Sequence, residues 1–526
     1  MRDFHQPGRS AVHAANGICA TSHPLAAGAA VDILKQGGNA MDAAIAGALI
    51  TGLAEPQMTG IGGDCFALVS PAGSDDVVAV NGSGRAPAGA DAAALRAQGH
   101  ETVPLQSAHA VTVPGAIDAF CTMSDKWGKL GLADSLAPVI SYMEDGVPVS
   151  PRVAWDWQGC EPVLSGHGRT HFLHPDGSIP KVGDIFRLPG QAEVLRRVAS
   201  HGRDAFYSGE VADDMIATLS ALGGTHTPED FAATRATIGD PLSASYKGRE
   251  LLEHPPNGQG IVAHLMLGIL SHFDLGSLDP LGAQRVHLEA EAAKLAYDAR
   301  NRFLADPDHM DRLDHLADPE TAARLAALID PDRAMQAPAT LAETVHKDTI
   351  YITVVDRDRM AVSLIYSIFH GFGSGIASEK FGILFQNRGG GFSLAEGHPN
   401  EMKGGKRPMH TIIPAMVRDD GRVTMPFGVM GGQYQPNGHA RVMTSMTDFG
   451  MDAQAALDAP RSFAEAGKLQ LERGYGDAVR SELAAKGHDI VTPEIPIGGA
   501  QAIVIHANGT LEGASDPRKD GCAVGY

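Results

Sequence analysis

TIYITVVDRDRMAVSLIYSIFH, residues 349–370, holds two alternating runs rich in β-branched residues, joined by Arg357-Asp358-Arg359. Two such runs around a short polar break read as a β-hairpin. Downstream, GILFQN, TIIPAMVRD, RVTMPFGV and QAIVIHA read as further strands, and HARVMTSMTDFG and VRSELAAKG as helices between them. Upstream lies a polar, Asp- and Pro-rich stretch, 305–348, expected to be an exposed connector, preceded by a long amphipathic helix over 284–304. From about Gly115 to Gly276 the pattern is mainly helical, and LAPVISYMEDG, AEVLRRVASHG and ADDMIATLSALGG each end on Gly, as a C′ position does. Near the N-terminus, SHPLAAGAAVDILKQGGNAMDAAIAGALITGLAEP predicts a helical hairpin: Ser22 and Pro24 open the first helix and Gly37-Gly38 close it. The second helix, Asn39 to about Leu53, is apolar nearly all round and so predicted buried. GIGGDCFALVS then reads as a glycine turn into a strand, with VVAVN as its hairpin partner. Helix-rich and strand-rich stretches sharing buried strands imply an α/β fold of sheets covered by helices.

At 526 residues the chain can bury a large core, and with 44% hydrophobic and 20% charged residues its composition is globular. A formal charge of −20 argues against nucleic acid, which needs a basic face. The start of the chain has no apolar signal-peptide core, and the longest apolar run, Ala43 to Leu53, is too short for a bilayer. Five cysteines (Cys19, Cys65, Cys121, Cys160, Cys522) without CxxC spacing fit a reducing compartment and no structural zinc. The expectation is a cytoplasmic protein with no membrane partner and no cofactor.

Thr349 stands where the connector meets the first strand of the hairpin. A threonine freed at a chain N-terminus can serve as nucleophile, with its own α-amine as base, directly or through water. The amine exists only after the Asp348–Thr349 bond is cut, so such enzymes arise as inactive precursors. They also need backbone N–H donors for the oxyanion, and GVMGGQYQ offers Gly431 and Gly432. Without further context a threonine at a strand start is more often structural.

The chain resembles the γ-glutamyltransferases along nearly its whole length. The resemblance is carried, in order, by TSHPLA, GGNAMDAA, EPQMTGIGGD, VTVPG, GRDAFYSGE, TPEDFA, PPNGQG, DTIYITVVDRDRMAVSLIYSIF-HGFGSG, GKRPMHTIIPAM, MGGQYQPNGH, TDFGMDAQAALDAPR and SDPRKDGCAVGY. It implies an N-terminal-nucleophile hydrolase fold, a four-layer α-β-β-α sandwich, whose precursor cuts itself into large and small subunits. These would be residues 1–348 and 349–526, with a dimer of such pairs compatible. It places the nucleophile on Thr349, its hydroxyl partner on Ser367 and the oxyanion glycines on Gly431 and Gly432.

Departures from the family pattern concern the substrate. The Arg that holds the γ-glutamyl carboxylate matches Ser83, with Arg85 two residues along, and the Asp that holds the amino group matches Gly391. An Asn of the family becomes Phe369, and its paired serines become His410 and Thr411. Arg85, Arg388, His410 and Thr411 are the expected substrate-binding set, able to rebuild a carboxylate site, while nothing replaces the carboxylate for an ammonium. The segment from Phe392 to Lys406 looks short and lacks the tyrosine that covers the pocket in transpeptidating members, which favours water as acyl acceptor.

The expected activity is hydrolysis of a small carboxylate-bearing amide, γ-glutamyl or related. The alternatives are a glutaryl (cephalosporin) acylase-like or oxamate amidohydrolase-like enzyme, and a non-catalytic binding protein that kept the fold. Each substrate-site residue also has a plainer reading: a turn arginine for Arg85, a glycine-loop residue for Arg388, a core histidine for His410. Gly62-Gly63 lacks the GxxxxGK[ST] of a phosphate loop. Asp306, Asp308, His309, Asp311, Asp314 and His315 lack the glycine and terminal Glu of an EF-hand and read as solvated connector, so no metal is expected.

Overall fold

A computed structural model describes residues 5, 8–335 and 349–526. Two seven-stranded antiparallel sheets dominate it. The first runs, in spatial order, Cys522–Gly525, Ile18–Thr21, Ile350–Val355, Ala361–Ser367, Asp64–Ser70, Val78–Gly82, Thr237–Gly239. The second runs Val12–Ala14, Leu511–Ser515, Gly499–Ile505, Arg422–Met430, Ala415–Asp419, Arg249–Glu253, Leu242–Tyr246.

The layering follows from strand periodicity, since successive side chains point to opposite faces. Ile350, Ile352 and Val354 pack outward with the helices Pro24–Lys35 and Ala40–Ala54. Tyr351 and Val355 point inward, where Phe66, Ile365, Ile412 and Met430, and farther along Leu68, Met416 and Ile503, fill the space between the sheets. The outer face of the second sheet (Leu251, Val417, Phe427, Ala502) packs on the helices Gly260–Leu270, Ala283–Phe303 and Gln435–Thr447. This is the α-β-β-α sandwich.

Helix Ala40–Ala54 is buried at all fifteen positions, as its all-round apolar sequence predicts. Asn39 caps it, and the Asp42 side chain completes a capping box. Gly47 lets it lie against the sheet, because a Cβ there would meet Ile352 at 2.4 Å. The hairpin is tied to the same helix. Asp356 accepts from the N–H groups of Asp358 (2.9 Å) and Met360 (3.0 Å) within its turn and from Ala40 (2.9 Å) at the helix start.

Several expectations need correction. The cap of the first helix is His23, whose Nδ1 accepts from Leu25 N, while the Ser22 hydroxyl donates to Glu55. GILFQN forms only an isolated bridge, Ala377 to Leu384. The region read as mainly helical contains, before the helix Gly260–Leu270, the hairpin Leu242–Tyr246/Arg249–Glu253, whose Lys247-Gly248 turn has φ values of 49° and 86°. That two-residue turn is the signal the helical reading overlooked. Helix Ala283–Phe303 is not amphipathic: Arg285, Glu289, Glu291 and Arg300 are buried in ion pairs and hydrogen bonds. The start of the expected connector is structured, with Asp306 2% exposed and helix Pro319–Ala326 packed on the core, while residues 336–348 lie outside the described residues.

Residues before and after position 348 share each sheet, so 1–348 and 349–526 are not separate domains. Ile350–Val355 pairs on one side with Ile18–Thr21 and on the other with Ala361–Ser367. The sheets approach closely where Tyr351 lies over Gly428, and a Cβ at Gly428 would sit 2.3 Å from that ring. Gly428→Val is therefore expected to overpack the layer and cost about 1–3 kcal/mol. A lowered urea midpoint for the variant checks this; an unchanged midpoint contradicts the close approach.

Candidate active site

Strand register builds the site. Ile350 pairs with Tyr366, which sets Thr349 opposite Ser367, the last residue of its strand. Ser367 in turn pairs with Asp64, the first residue of the next strand. The three polar residues form a row across three strands on the face between the sheets, in line with Tyr351, Ile365 and Phe66. The two hydroxyl oxygens of Thr349 and Ser367 are 3.3 Å apart, and all three side chains are buried.

The second sheet faces this row with its strand ends. After Met430 the chain turns through Gly431 (φ 116°) and Gly432 (φ 55°), left-handed conformations that favour glycine. A Cβ on Gly431 would stand 2.9 Å from Gly498 Cα. Successive N–H groups in such a turn form an anion-binding concavity. Thr349, Met430, Gly431 and Gln433 line a cavity of about 330 Å³ whose other walls include Tyr434, Phe463, Ile495, Arg152 and Lys519.

Beneath Ser367 lies Arg388, fully buried. Its Nη1 donates to Thr411 Oγ1 (2.9 Å) and its Nη2 to Ser367 Oγ (3.2 Å), and its guanidinium carbon is 4.2 Å from the centre of the Phe369 ring. Asp64 Oδ2 is 4.0 Å from Nε. Burial brings the guanidinium pKa down to about 9, against the pull of Asp64. His410 is held between Asp64 Oδ2, 3.0 Å from its Nε2, and the Ile412 N–H, which donates to Nδ1. Nδ1 therefore carries the lone pair and Nε2 the proton. Burial, then the charge of Arg388, lowers the His410 pKa to about 3.

The expected residues fall into groups. Thr349, Ser367, Arg388, His410 and Thr411 come together around Asp64; Gly431 lines the same cavity as Thr349, and the Gly432 and Thr411 carbonyls both accept from Gln259 Nε2 (3.0 and 2.7 Å). Arg85 lies elsewhere: half-exposed, it donates to Gly405 O (2.9 Å) and pairs with Asp306 at 3.4 Å. Asp348 lies outside the described residues. The Ser83 hydroxyl accepts from Asn257 Nδ2, and a Cβ at Gly391 would stand 2.6 Å from Met409 O, so no side chain fits there without movement. The segment from Phe392 to Lys406 is no gap. Phe392, Leu394 and Met402 pack against Leu95 and Val103, and Phe392, Ser393 and Asn400 wall a second cavity of about 240 Å³ next to Phe369.

Sequence reasoning missed Asp64, although the GGD before its strand was in view, and it missed Arg300 and Gln433. Arg300 lines the second cavity and donates to Gln259 Oε1 (2.7 Å) and to Gln433 Oε1. Gln433 lines both cavities. The reading of residues 306–315 as solvated connector does not hold for Asp306, which is buried, accepts from Arg407 N (2.7 Å) and caps a short 3₁₀ turn.

A sandwich of this layering, with a threonine heading an inner strand and a left-handed glycine turn lining the same cavity, has the fold of the N-terminal-nucleophile hydrolases. The gamma-glutamyltranspeptidase family profile matches residues 26–526. The glutathione hydrolase-like YwrD proenzyme of Bacillus subtilis is 35% identical, with 96% of this chain and 97% of that one covered. The oxamate amidohydrolase proenzyme of Klebsiella pneumoniae is 36% identical, over 97% of this chain and 98% of that one. In structure, the cephalosporin acylase of Bacillus halodurans superposes with a TM-score of 0.92 at 38% identity, covering 100% and 99% of the two chains. The chain belongs to the gamma-glutamyltranspeptidase family, and it is an enzyme of amide chemistry.

The buried histidines give the protein a pH signature. His410 and His488 are lowered to about 3, and His23, His226, His254 and His264 to about 4, in each case first by burial. Below about pH 6.5 the unfolded chain takes up protons that the fold refuses, so stability falls with pH from about 6.5 toward 4. Glu55, pushed up to about 7 by burial, acts in the opposite sense, as do Glu253, Asp356 and Asp458, raised for the same reason, but the six histidines, joined by His287, outnumber them. Urea midpoints measured at pH 7.5, 6 and 5 are expected to drop at each step, and a flat profile contradicts the neutral burial of these rings.

Proposed function

We propose that the protein is a self-processing amidase in which Thr349 is both the processing and the catalytic nucleophile. Its substrate is a small amide whose acyl group carries a carboxylate. The observation that carries this reading is the placement of Thr349 at the wall of a cavity, its Oγ 3.3 Å from the Ser367 hydroxyl, with Gly431 of the glycine turn lining the same cavity.

In processing, Thr349 Oγ attacks the Asp348 carbonyl, the acyl group shifts from nitrogen to oxygen, and water cleaves the ester. The products are residues 1–348 and 349–526. In turnover the free α-amine of Thr349 takes the hydroxyl proton as Oγ attacks the substrate amide. The developing oxyanion meets the N–H groups of the glycine turn, where a single donor is worth roughly 10²–10³ in kcat. Collapse expels the amine, which takes the proton from the α-ammonium, and water then releases the acid by the same route.

Two features speak against a γ-glutamyl end. Position 391 is closed to a side chain by Met409 O, and position 83 is a hydroxyl already bonded to Asn257. A γ-glutamyl end therefore lacks the two ionic partners it has elsewhere in the family, at about 1.5–3 kcal/mol per charge-assisted bond. Cations do reach the cavities: Arg152 and Lys519 line the one that holds Thr349, and Arg300 lines its neighbour. Glu465 lines both cavities and Glu494 the first, so the walls carry both signs and the case against an ammonium rests on position 391.

The test sets a glutaryl amide beside the matching γ-glutamyl amide, with Thr349→Ala as control. The glutaryl compound is expected to show the higher kcat/KM, and the alanine variant no turnover of either. A clear preference for the γ-glutamyl compound overturns the substrate reading, and turnover by the alanine variant overturns the nucleophile.

A further inference from the structure

We propose that Gln259 is a positioning residue that holds the Gly431-Gly432 turn in the conformation whose N–H groups receive the oxyanion. The proposal rests on the reading of Thr349 as nucleophile and of that turn as its oxyanion site. Gln259 precedes the helix Gly260–Leu270, is fully buried, and lines neither of the two cavities. Its side-chain amide is engaged on both sides. Nε2 donates to Thr411 O (2.7 Å) and Gly432 O (3.0 Å), and Oε1 accepts from Arg300 Nη1 (2.7 Å). Carbonyl oxygens only accept and a guanidinium only donates, so a single orientation of the amide fits.

The turn needs such a hold. Gly431 (φ 116°) and Gly432 (φ 55°) are the residue type least restricted by its own sterics, so neighbours must select the conformation. In a planar trans peptide the carbonyl and the following N–H point in opposite directions. Tyr434 N donates to Gly431 O (3.0 Å), which fixes the plane that carries the Gly432 N–H. The bond from Gln259 to Gly432 O fixes the next plane, which carries the Gln433 N–H. Gly431 and Gln433 line the cavity with Thr349, whereas Gln259 lies outside it. The Gly432 carbonyl is thus drawn into the protein interior and cannot turn its negative end on the oxyanion.

The hold is itself anchored. The Gln259 N–H donates to His410 O (3.1 Å), so one residue ties the His410-Thr411 segment to the glycine turn through its backbone and its side chain. Arg300, which lines the second cavity, also donates to Gln433 Oε1, and the Tyr297 hydroxyl donates to Gln433 O. A continuous set of hydrogen bonds therefore runs from the second cavity through Arg300 and Gln259 to the turn beside Thr349. Donors held in place before the reaction need no reorganisation at the transition state, and a displacement of about 1 Å can cost about 10²-fold in rate. Gln259 acts on the reaction only through the turn it holds.

The experiment compares wild type, Gln259→Met and Gln259→Glu on whichever of the glutaryl and γ-glutamyl amides the wild type hydrolyses. Methionine removes both donors and the acceptor, while glutamate keeps an acceptor for Arg300 but offers the carbonyls no N–H. Both variants are expected to lower kcat by about 10- to 100-fold with KM within about two-fold of wild type, because the lost interaction is made in the transition state. A Gln259→Glu variant with wild-type kcat, or a raised KM with kcat kept, overturns the proposal. Independently of any variant's folding, a crystal structure of the wild type with a boronic acid analogue of the hydrolysed acyl group tests the turn itself. Boron adds to Thr349 Oγ, and the tetrahedral adduct carries an oxygen where the oxyanion forms. That oxygen within about 3.2 Å of the turn's N–H groups, with Gln259 Nε2 still on Gly432 O, supports the proposal. An oxygen bound elsewhere, or a Gly432 carbonyl released by Gln259, overturns it. A wild type that is active without being cut before Thr349 overturns the nucleophile reading, and this proposal with it.

Discussion

The site depends on one strand pairing. Ile350–Val355 lies between Ile18–Thr21 and Ala361–Ser367, and the register that pairs Ile350 with Tyr366 is what sets Thr349 beside Ser367 and, one strand farther, Asp64. Because the side-chain period of a strand is two, a slip of one residue would turn the whole row toward the helices. Apolar packing guards against that slip from both faces: Ile350, Ile352 and Val354 are committed to the helical layer, and Tyr351 to the space over Gly428. The same pairing joins segments from both sides of position 348 into one body, so a cut there separates two chain ends without separating two folding units.

The polar row brings a second constraint, that of burying charge. Asp64 is made tolerable by four neighbours: the Gly84 N–H and Gln386 Nε2 on Oδ1, each at 2.9 Å, and His410 and Arg388 on the other side. Arg388 in turn has hydroxyl acceptors and an aromatic face. Such a cluster is costly if any member is removed, because the others are left buried and unpaired. Similar pairing recurs in the outer layer, where Glu289 is shared by Arg285 and Arg441 at the junction of two buried helices. The fold thus carries many buried ionisable groups whose protonation is set by burial rather than by solvent.

Much of this was legible in the sequence, for a physical reason. Residues 349–370 are apolar and β-branched on both sides of a polar turn, and residues 40–54 are apolar all round, so period and composition left few alternatives. The hairpin Leu242–Tyr246/Arg249–Glu253 was missed because its strands alternate weakly and one face is exposed. Helix Ala283–Phe303 was read as half-exposed because its charges look like a solvated face, whereas they are paired inside. Proximity across strands was the other blind spot. Asp64 is far from Thr349 in sequence and meets it only through two registers, and Arg85, close in sequence to Ser83, turns instead toward Asp306. The shift of Arg388 from expected ligand to partner of Ser367 likewise follows from packing that no spacing rule reports.

The central claim is that Thr349 is the first residue of a catalytic chain freed from its own precursor. Intact-mass analysis with N-terminal sequencing of the purified protein tests it most directly. The account predicts two polypeptides, the smaller beginning Thr-Ile-Tyr-Ile, and a single uncut chain for Thr349→Ala. A wild-type protein that is fully active as one uncut chain, or an alanine variant cut at the same bond, would contradict it.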